Sequence, residues 1–172
     1  MVSAALLELE RYDWEQFRCG CGKSAAHIPE TFRRLLAAKS PEDAVGYRFD
    51  GHLEIQSMLF EAAVPAVSVI LAALTEEPAR FARSHFLVTL LFLVSGESHS
   101  SEMEAGREDL GEECCEKARD GLWEIYREAV SGDTENALDI LEVIEDDGLR
   151  LAHFRTALQD RLAKQQRKKR PI

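Results

Sequence analysis

Residues 60–74 read FEAAVPAVSVILAAL, and this stretch decides the fold class. Its apolar side chains recur every three or four residues, which is the spacing of one face of an α-helix. The stripe comprises Phe60, Ala63, Val64, Val67, Ile70, Leu71 and Leu74. Because proline is tolerated only in the first turn of a helix, Pro65 either kinks this helix or places its start near Val64. The stretch predicts a helix that packs in the core.

Helical periodicity continues on both sides of this stretch. We expect further helices over residues 6–17, 29–38, 41–56, 78–94, 110–129 and 134–146, and from residue 151 onward. The helix over 41–56 is predicted despite Gly46 and Gly51, which each cost about 1 kcal/mol relative to alanine. Residues 95–106 are expected to form a loop, and sustained period-two alternation is absent, so a sheet is not expected.

The predicted helices pair as antiparallel hairpins with starts near residues 41, 78 and 133. Repeats of about 40 residues, each built from two helices, are typical of α-solenoids. The sequence therefore predicts an all-α fold. Its architecture is expected to be a short right-handed α-α superhelix of about seven to eight helices.

A resemblance points the same way. Residues 51–67 read GHLEIQSMLFEAAVPAV. This segment resembles the GH-x-x-x-Q-x-x-L-Y-x-A-A-x-P-A-V stretch of small bacterial HEAT-repeat-like, armadillo-type proteins. Ser57 stands where a glycine is usual, and Phe60 replaces the tyrosine. Residues 12–15 (YDWE) and 28–29 (IP) are also similar. The resemblance implies a HEAT-like solenoid that binds through a concave face, and it implies no reaction.

The charge of the chain is unevenly distributed. The 172 residues include 31 Asp and Glu against 21 Lys and Arg, a formal charge of −10. Residues 161–172 contain six basic side chains and no acid, so residues 1–160 carry a net charge of −16. We predict one helical domain over 1–160, followed by a basic, frayed tail over 161–172. Such an acidic body argues against binding to nucleic acid or to an anionic membrane.

The location of the protein can also be predicted from the sequence. The N-terminal residues lack the positive start and the long apolar run of a secretory signal. The most apolar run, residues 86–94, is shorter than the roughly 18–20 residues that a spanning helix needs. Four cysteines are too few for a disulfide scaffold. These features predict a cytoplasmic protein with no membrane partner.

The cysteines and histidines raise the possibility of a metal site. Cys19 and Cys21, Cys114 and Cys115, with His27 near the first pair, could supply four thiolates or a mixed Cys/His zinc site. Structural zinc sites usually have two residues between paired cysteines, whereas the spacings here are one and zero. Packing of the thiols in the core is the alternative that this spacing favours, and neither a metal nor another cofactor is predicted.

Acidic segments suggest a binding surface instead. Residues 97–116 contain eight acids and one base, and residues 133–147 contain seven acids and no base. A negative field attracts basic partners. We therefore expect a non-catalytic interaction protein that binds a basic protein partner through an acidic concave face, in one form an immunity- or antitoxin-like protein. The predicted surface residues are Glu102, Glu104, Glu108, Glu112, His52, Gln56 and Trp123.

A second function class stays open. His52 and Gln56, one helical turn apart, could line a site between hairpins near Trp123, where a small-molecule- or metal-binding enzyme would hold its ligand. The sequence contains no G-x-S-x-G nucleophile motif and no assignable cysteine–histidine pair, so no catalytic residue is predicted. No residue pattern indicates an oligomeric state.

Overall fold

The computed structural model describes residues 2–168, and most of this part of the chain is helical. The α-helices are α1 Ala4–Glu10, α2 Ile28–Ala37, α3 Ala63–Thr75, α4 Arg80–Val94, α5 Ser100–Glu104, α6 Leu110–Arg119, α7 Leu122–Ser131, α8 Thr134–Ile144 and α9 Gly148–Lys168. Short 3₁₀ turns occupy Trp14–Gln16, Ala25–His27 and Pro41–Ala44. The expectation of a predominantly α-helical fold is confirmed.

Helix α3 lies at the centre of the fold. It packs against α1, α4, α6 and α7, and its side chains at Val67, Ile70 and Leu74 are fully buried. The helix begins at Ala63, so Pro65 falls in its first turn, where the missing backbone N–H costs no hydrogen bond. Of the two readings of Pro65, the late start is therefore the one that the structure adopts.

A small sheet is present where none was expected. Strand β1, Glu54–Ile55, pairs antiparallel with β2, Met58–Leu59, and β3, Glu97–Ser98, runs parallel to β2. Gln56 and Ser57 connect β1 to β2 with φ angles of 52° and 64°. A two-residue turn with both φ angles positive matches the right-handed twist of a hairpin. The strands are too short to produce the alternation that predicts a sheet.

The predicted helix over 41–56 is wrong. Only a 3₁₀ turn forms at Pro41–Ala44, and the chain then runs irregularly to β1. Gly46 and Gly51 adopt φ angles of +87° and +80°, a left-handed backbone conformation that a right-handed helix excludes. This irregular segment brings His52 to the candidate site described below.

Other predictions also differ from the structure. The expected helix over 6–17 ends at Glu10, before the 3₁₀ turn at Trp14–Gln16, and the expected loop over 95–106 contains β3 and α5. The expected helix over 110–129 is divided into α6 and α7 at Gly121. A Cβ atom at Gly121 would lie 2.5 Å from Leu71 Cδ2, so glycine allows the junction to approach α3 closely. Helix α9 continues to Lys168, past the predicted start of a frayed tail at residue 161. Residues 169–172 of that tail lie outside the described residues.

The junction of α7, α8 and α9 contains a well-connected carboxylate. Glu145 accepts hydrogen bonds from the Arg150 guanidinium at 2.7 Å and from the Tyr126 hydroxyl at 2.6 Å. These contacts, of which the Arg150 bond contributes most, lower the pKa of Glu145 to about 2. Burial, followed by the bond to Glu145, raises the pKa of Tyr126 to about 12.

This arrangement predicts an acid-sensitive contribution to stability. Since the pKa of Glu145 is lower in the folded than in the unfolded protein, its stabilisation is present above the unfolded pKa and is lost as the pH falls from about 5 to about 2. The difference in free energy of unfolding between the native protein and Glu145→Gln should therefore shrink over that range. Urea unfolding of both proteins at matched ionic strength measures this difference in free energy at each pH. A difference that stays constant with pH would contradict the assignment.

Candidate metal centre

Four metal-ligating side chains converge near the N-terminal half of the fold. One ligand atom each from Cys19, Cys21, His27 and His52 lies within 4.8 Å of every other one. Cys19 is buried, His52 is half-buried, and Cys21 and His27 are exposed. Among the described residues, this is the only such group of His, Cys, Asp and Glu.

The distances among Cys19, His27 and His52 fit three corners of a tetrahedral zinc site. Cys19 Sγ lies 3.4 Å from His52 Nδ1 and 3.6 Å from His27 Nε2, and the two ring nitrogens are 3.0 Å apart. Zinc bonds of about 2.3 Å to sulfur and about 2.0–2.1 Å to nitrogen, at tetrahedral angles, place S and N about 3.6 Å apart and two N atoms about 3.3 Å apart. These three side chains therefore already have the separations that Zn²⁺ ligands require, and Cys21 lies within 4.8 Å of each of them.

A tight loop positions the two cysteines. The Cys19 N–H donates to the Lys23 carbonyl at 3.2 Å, and the Gly22 N–H donates to the Cys19 carbonyl at 3.0 Å. Gly22 has a φ angle of +79°, which lets the chain reverse directly after Cys21. This reversal turns both thiols toward the same point although a single residue separates them.

The histidines come from two other segments. His27 ends the 3₁₀ turn Ala25–His27 and precedes α2. His52 follows Gly51 in the irregular segment, and its carbonyl accepts a hydrogen bond from the Gly20 N–H at 2.8 Å. The backbone thus already joins the cysteine loop to the His52 loop, and a metal ion would join them a second time.

The thiols of Cys19 and Cys21 must release their protons before they can bind a metal ion. Burial raises the pKa of the Cys19 thiol to about 12, against weaker opposing effects of the Cys21 and Gly20 backbone N–H groups. Burial, then the charges of His27 and Arg48, lowers the pKa of His52, which keeps its ring neutral and able to ligate. Two thiolates would neutralise the charge of one Zn²⁺, which suits a partly buried site.

Gly20 permits the close approach of the two loops. A Cβ atom at this position would lie 2.9 Å from the Gly51 carbonyl oxygen and 2.9 Å from the Phe60 ring. We expect Gly20→Ala to weaken zinc binding by about 10–100-fold, the loss typical when a contact that positions a metal ligand is displaced, because the Gly20 N–H bonds the His52 carbonyl. Competition with a chromophoric chelator measures the affinity. Gly148→Ala is the matched control, since its Cβ would meet nothing within 4 Å, and an equal loss in both variants would contradict this role of Gly20.

The other cysteine pair is not part of the centre. Cys114 is fully buried in the hydrophobic core, and burial raises the pKa of its thiol. The Cys115 thiol donates to the Val94 carbonyl. These two thiols pack as the sequence indicated, whereas Cys19 and Cys21 lie in the four-residue cluster. The cluster also contains His27 and His52, which are 25 residues apart in the chain, and no spacing rule links these two histidines.

The predicted surface residues fall in different places. His52 belongs to the metal cluster, whereas Gln56 lies in the β1–β2 turn, so the two do not share a helical face. Trp123 is 61 % exposed on α7, where the Arg150 guanidinium lies 5.4 Å from its ring centroid. The structure does not assemble His52, Gln56 and Trp123 into one site.

Of the four predicted glutamates, one is not on the surface. Glu102 is fully buried and pairs with Arg18 Nη2 at 2.9 Å, because a buried carboxylate needs a charged partner. Glu104, Glu108 and Glu112 are exposed, and the last two line a groove of about 660 Å³. The groove also contains Glu97, Asp109, Met103 and Val143, and in the part of the chain that the structure describes no Lys or Arg lines it.

No family model, curated protein or solved structure matches this chain. Within residues 2–168, none of the helices combines the length and the apolar character that a bilayer-spanning segment needs.

Proposed function

We propose that this protein binds one Zn²⁺ ion through Cys19, Cys21, His27 and His52, and that the ion holds the N-terminal segment against the rest of the fold. The observation that carries the proposal is the convergence of four ligand atoms within 4.8 Å of one another. The separations among Cys19, His27 and His52 are close to the edges of a zinc tetrahedron.

The donor set favours zinc over other common cations. Thiolates and imidazoles suit Zn²⁺, whereas Mg²⁺ and Ca²⁺ prefer oxygen ligands. Four protein ligands fill a tetrahedral site, and catalytic zinc sites keep one position open for water or substrate. The proposed centre is therefore structural, and this argues against the metal-binding enzyme that the sequence left open.

The experiment that tests the proposal is a zinc titration of the metal-free protein against a chromophoric chelator. We expect one equivalent to bind, and we expect Cys19→Ser, Cys21→Ser, His27→Ala and His52→Ala each to weaken binding by about a hundredfold or more. Cys115→Ser and His99→Ala, which change the same residue types outside the cluster, should leave the affinity unchanged. Equal affinities in cluster and control variants would contradict the proposal.

A second function is favoured by the acidic groove. We propose that the chain is a HEAT-like interaction protein whose groove beside α6 binds a basic protein, as an immunity- or antitoxin-like protein would. Exposed Met103 and Val143 give this groove apolar contact area beside the carboxylates of Glu108 and Glu112. A complementary partner would bring cationic and apolar side chains to the same face.

Charge reversal tests this second function. A basic protein captured from the native host should bind Glu108→Lys/Glu112→Lys about tenfold or more weakly, and binding should weaken with salt because the charges are exposed. Glu10→Lys/Glu15→Lys reverses two exposed carboxylates elsewhere and should bind normally. Surface plasmon resonance measures the affinities. Binding that is insensitive to salt and equal in both variants would contradict the electrostatic account.

A further inference from the structure

A cavity that is separate from the metal centre and from the acidic groove lies between the loop carrying β1 and helix α4. It encloses about 440 Å³, which is within the range of about 300–1,000 Å³ typical of small-molecule sites. Val88 and Phe92, 36 % and 45 % exposed, supply an apolar wall from α4. Phe49 also lines the cavity and stacks on the His85 ring, with the ring centroids 5.6 Å apart.

A buried carboxylate lines this cavity without a cationic partner. Glu54 is 7 % exposed, and its Oε2 accepts a hydrogen bond from the Ser57 N–H at 2.7 Å. None of the ion pairs between described residues includes Glu54. Buried charges in proteins are ordinarily paired, as Glu102 and Glu128 are in this structure. Glu54 therefore has unused capacity for a positive charge.

The other polar groups of the cavity add negative charge or no charge. Asp50 adds a second carboxylate, and over the described residues no Lys or Arg lines the cavity. Burial lowers the pKa of His85, so its ring stays neutral and contributes no opposing charge. Two carboxylates beside an aromatic and aliphatic wall are complementary to a cation that carries an apolar body.

We propose that this cavity binds a small organic amine, with the ammonium group against Glu54 and Asp50 and the apolar body on Val88 and Phe92. The volume is that of a small-molecule site, which favours a free amine over a protein surface as the ligand. This site shares no side chain with the metal centre or with the acidic groove beside α6. Its failure would leave both proposed functions untouched.

The test uses the purified full chain and three probes of similar shape: 2-(1-naphthyl)ethylamine, the neutral 2-(1-naphthyl)ethanol and the anionic 1-naphthylacetate. Isothermal titration calorimetry should give a dissociation constant below about 1 mM for the amine and values about tenfold or more weaker for the other two. Equal binding of amine and alcohol, or no binding of the amine, would overturn the proposal.

Variants locate the site. Glu54→Gln keeps the acceptor for Ser57 but removes the charge, and Val88→Lys places a competing cation on the exposed wall; both should weaken amine binding by about tenfold or more. Glu15→Gln removes an exposed carboxylate elsewhere and should bind normally. If Glu54→Gln does not fold, the amine affinities of Val88→Lys and Asp50→Asn test the proposal. Unchanged affinity in the variants that fold would overturn the assignment, as would tighter binding of a lysine-containing peptide than of the amine.

Discussion

Removing zinc with a strong chelator should lower the melting temperature of this protein by about 10 °C. A ligand that binds only the folded state and is present at about a thousand times its dissociation constant stabilises that state by about 4 kcal/mol. In a chain of this size each kcal/mol changes the melting temperature by about 2–4 °C. The metal would hold the cysteine loop against the His52 loop, so its loss releases both.

Differential scanning calorimetry with and without chelator measures this effect. Adding Zn²⁺ back should restore the melting temperature, and adding Mg²⁺ should not, because the site offers thiols and imidazoles. Cys19→Ser/His52→Ala should melt at the same temperature with and without chelator. An equal chelator effect on this variant and on the native chain would show that the stabilising metal lies elsewhere.

Replacing Arg83 by methionine should cost about 3–5 kcal/mol of unfolding free energy. Arg83 Nη1 pairs with the Glu128 carboxylate, whose side chain is 1 % exposed. Arg83 Nη2 also donates to the Glu76 carbonyl at 2.6 Å. Without the guanidinium, Glu128 remains buried with an uncompensated charge, and that penalty dominates the loss.

Chemical denaturation of a variant series separates this penalty from lost packing. Arg83→Met/Glu128→Met should recover at least half of the loss, because the double variant buries no charge. Arg34→Met breaks an exposed pair with Glu30 and should cost less than about 1 kcal/mol. A double variant that is no more stable than Arg83→Met would contradict the electrostatic explanation.

The sequence predicts the long helices well and the segment between residues 38 and 62 poorly. Helices such as α2, α4 and α8 carry a continuous apolar face, and their predicted positions agree with the structure to within a few residues. Between α2 and α3 the apolar spacing resembles a helix. The structure there depends on Gly46 and Gly51 in the left-handed region and on pairing of β2 with β3, which is distant in sequence. Local periodicity contains no information about such pairing.

The candidate metal centre shows a similar limit. Cys19, Cys21 and His27 are close in sequence, and they were recognised as possible ligands. The fourth ligand, His52, reaches them because the predicted helix over 41–56 does not form. A helix over residues 41–56 would place His52 one turn from Gln56, on the same helical face. The error in secondary structure thus separated His52 from the other three candidate ligands and paired it with Gln56.

The acidic surface was predicted in part. Net charge identified the segment correctly, and Glu108 and Glu112 do line an exposed groove. Glu102 belongs to the same acidic run but lies buried against Arg18, 84 residues away in the chain. Which acids of a run face solvent depends on tertiary ion pairs, and the sequence does not reveal those.

X-ray absorption spectroscopy at the zinc K-edge tests the central claim most directly. The zinc-loaded protein should show a first shell of two sulfur atoms at about 2.3 Å and two nitrogen atoms at about 2.0–2.1 Å. Cys21→Ser should lose one of the two sulfur atoms, and Cys115→Ser should retain both. A first shell of nitrogen and oxygen alone, or an unchanged spectrum in Cys21→Ser, would contradict the assignment of the metal centre.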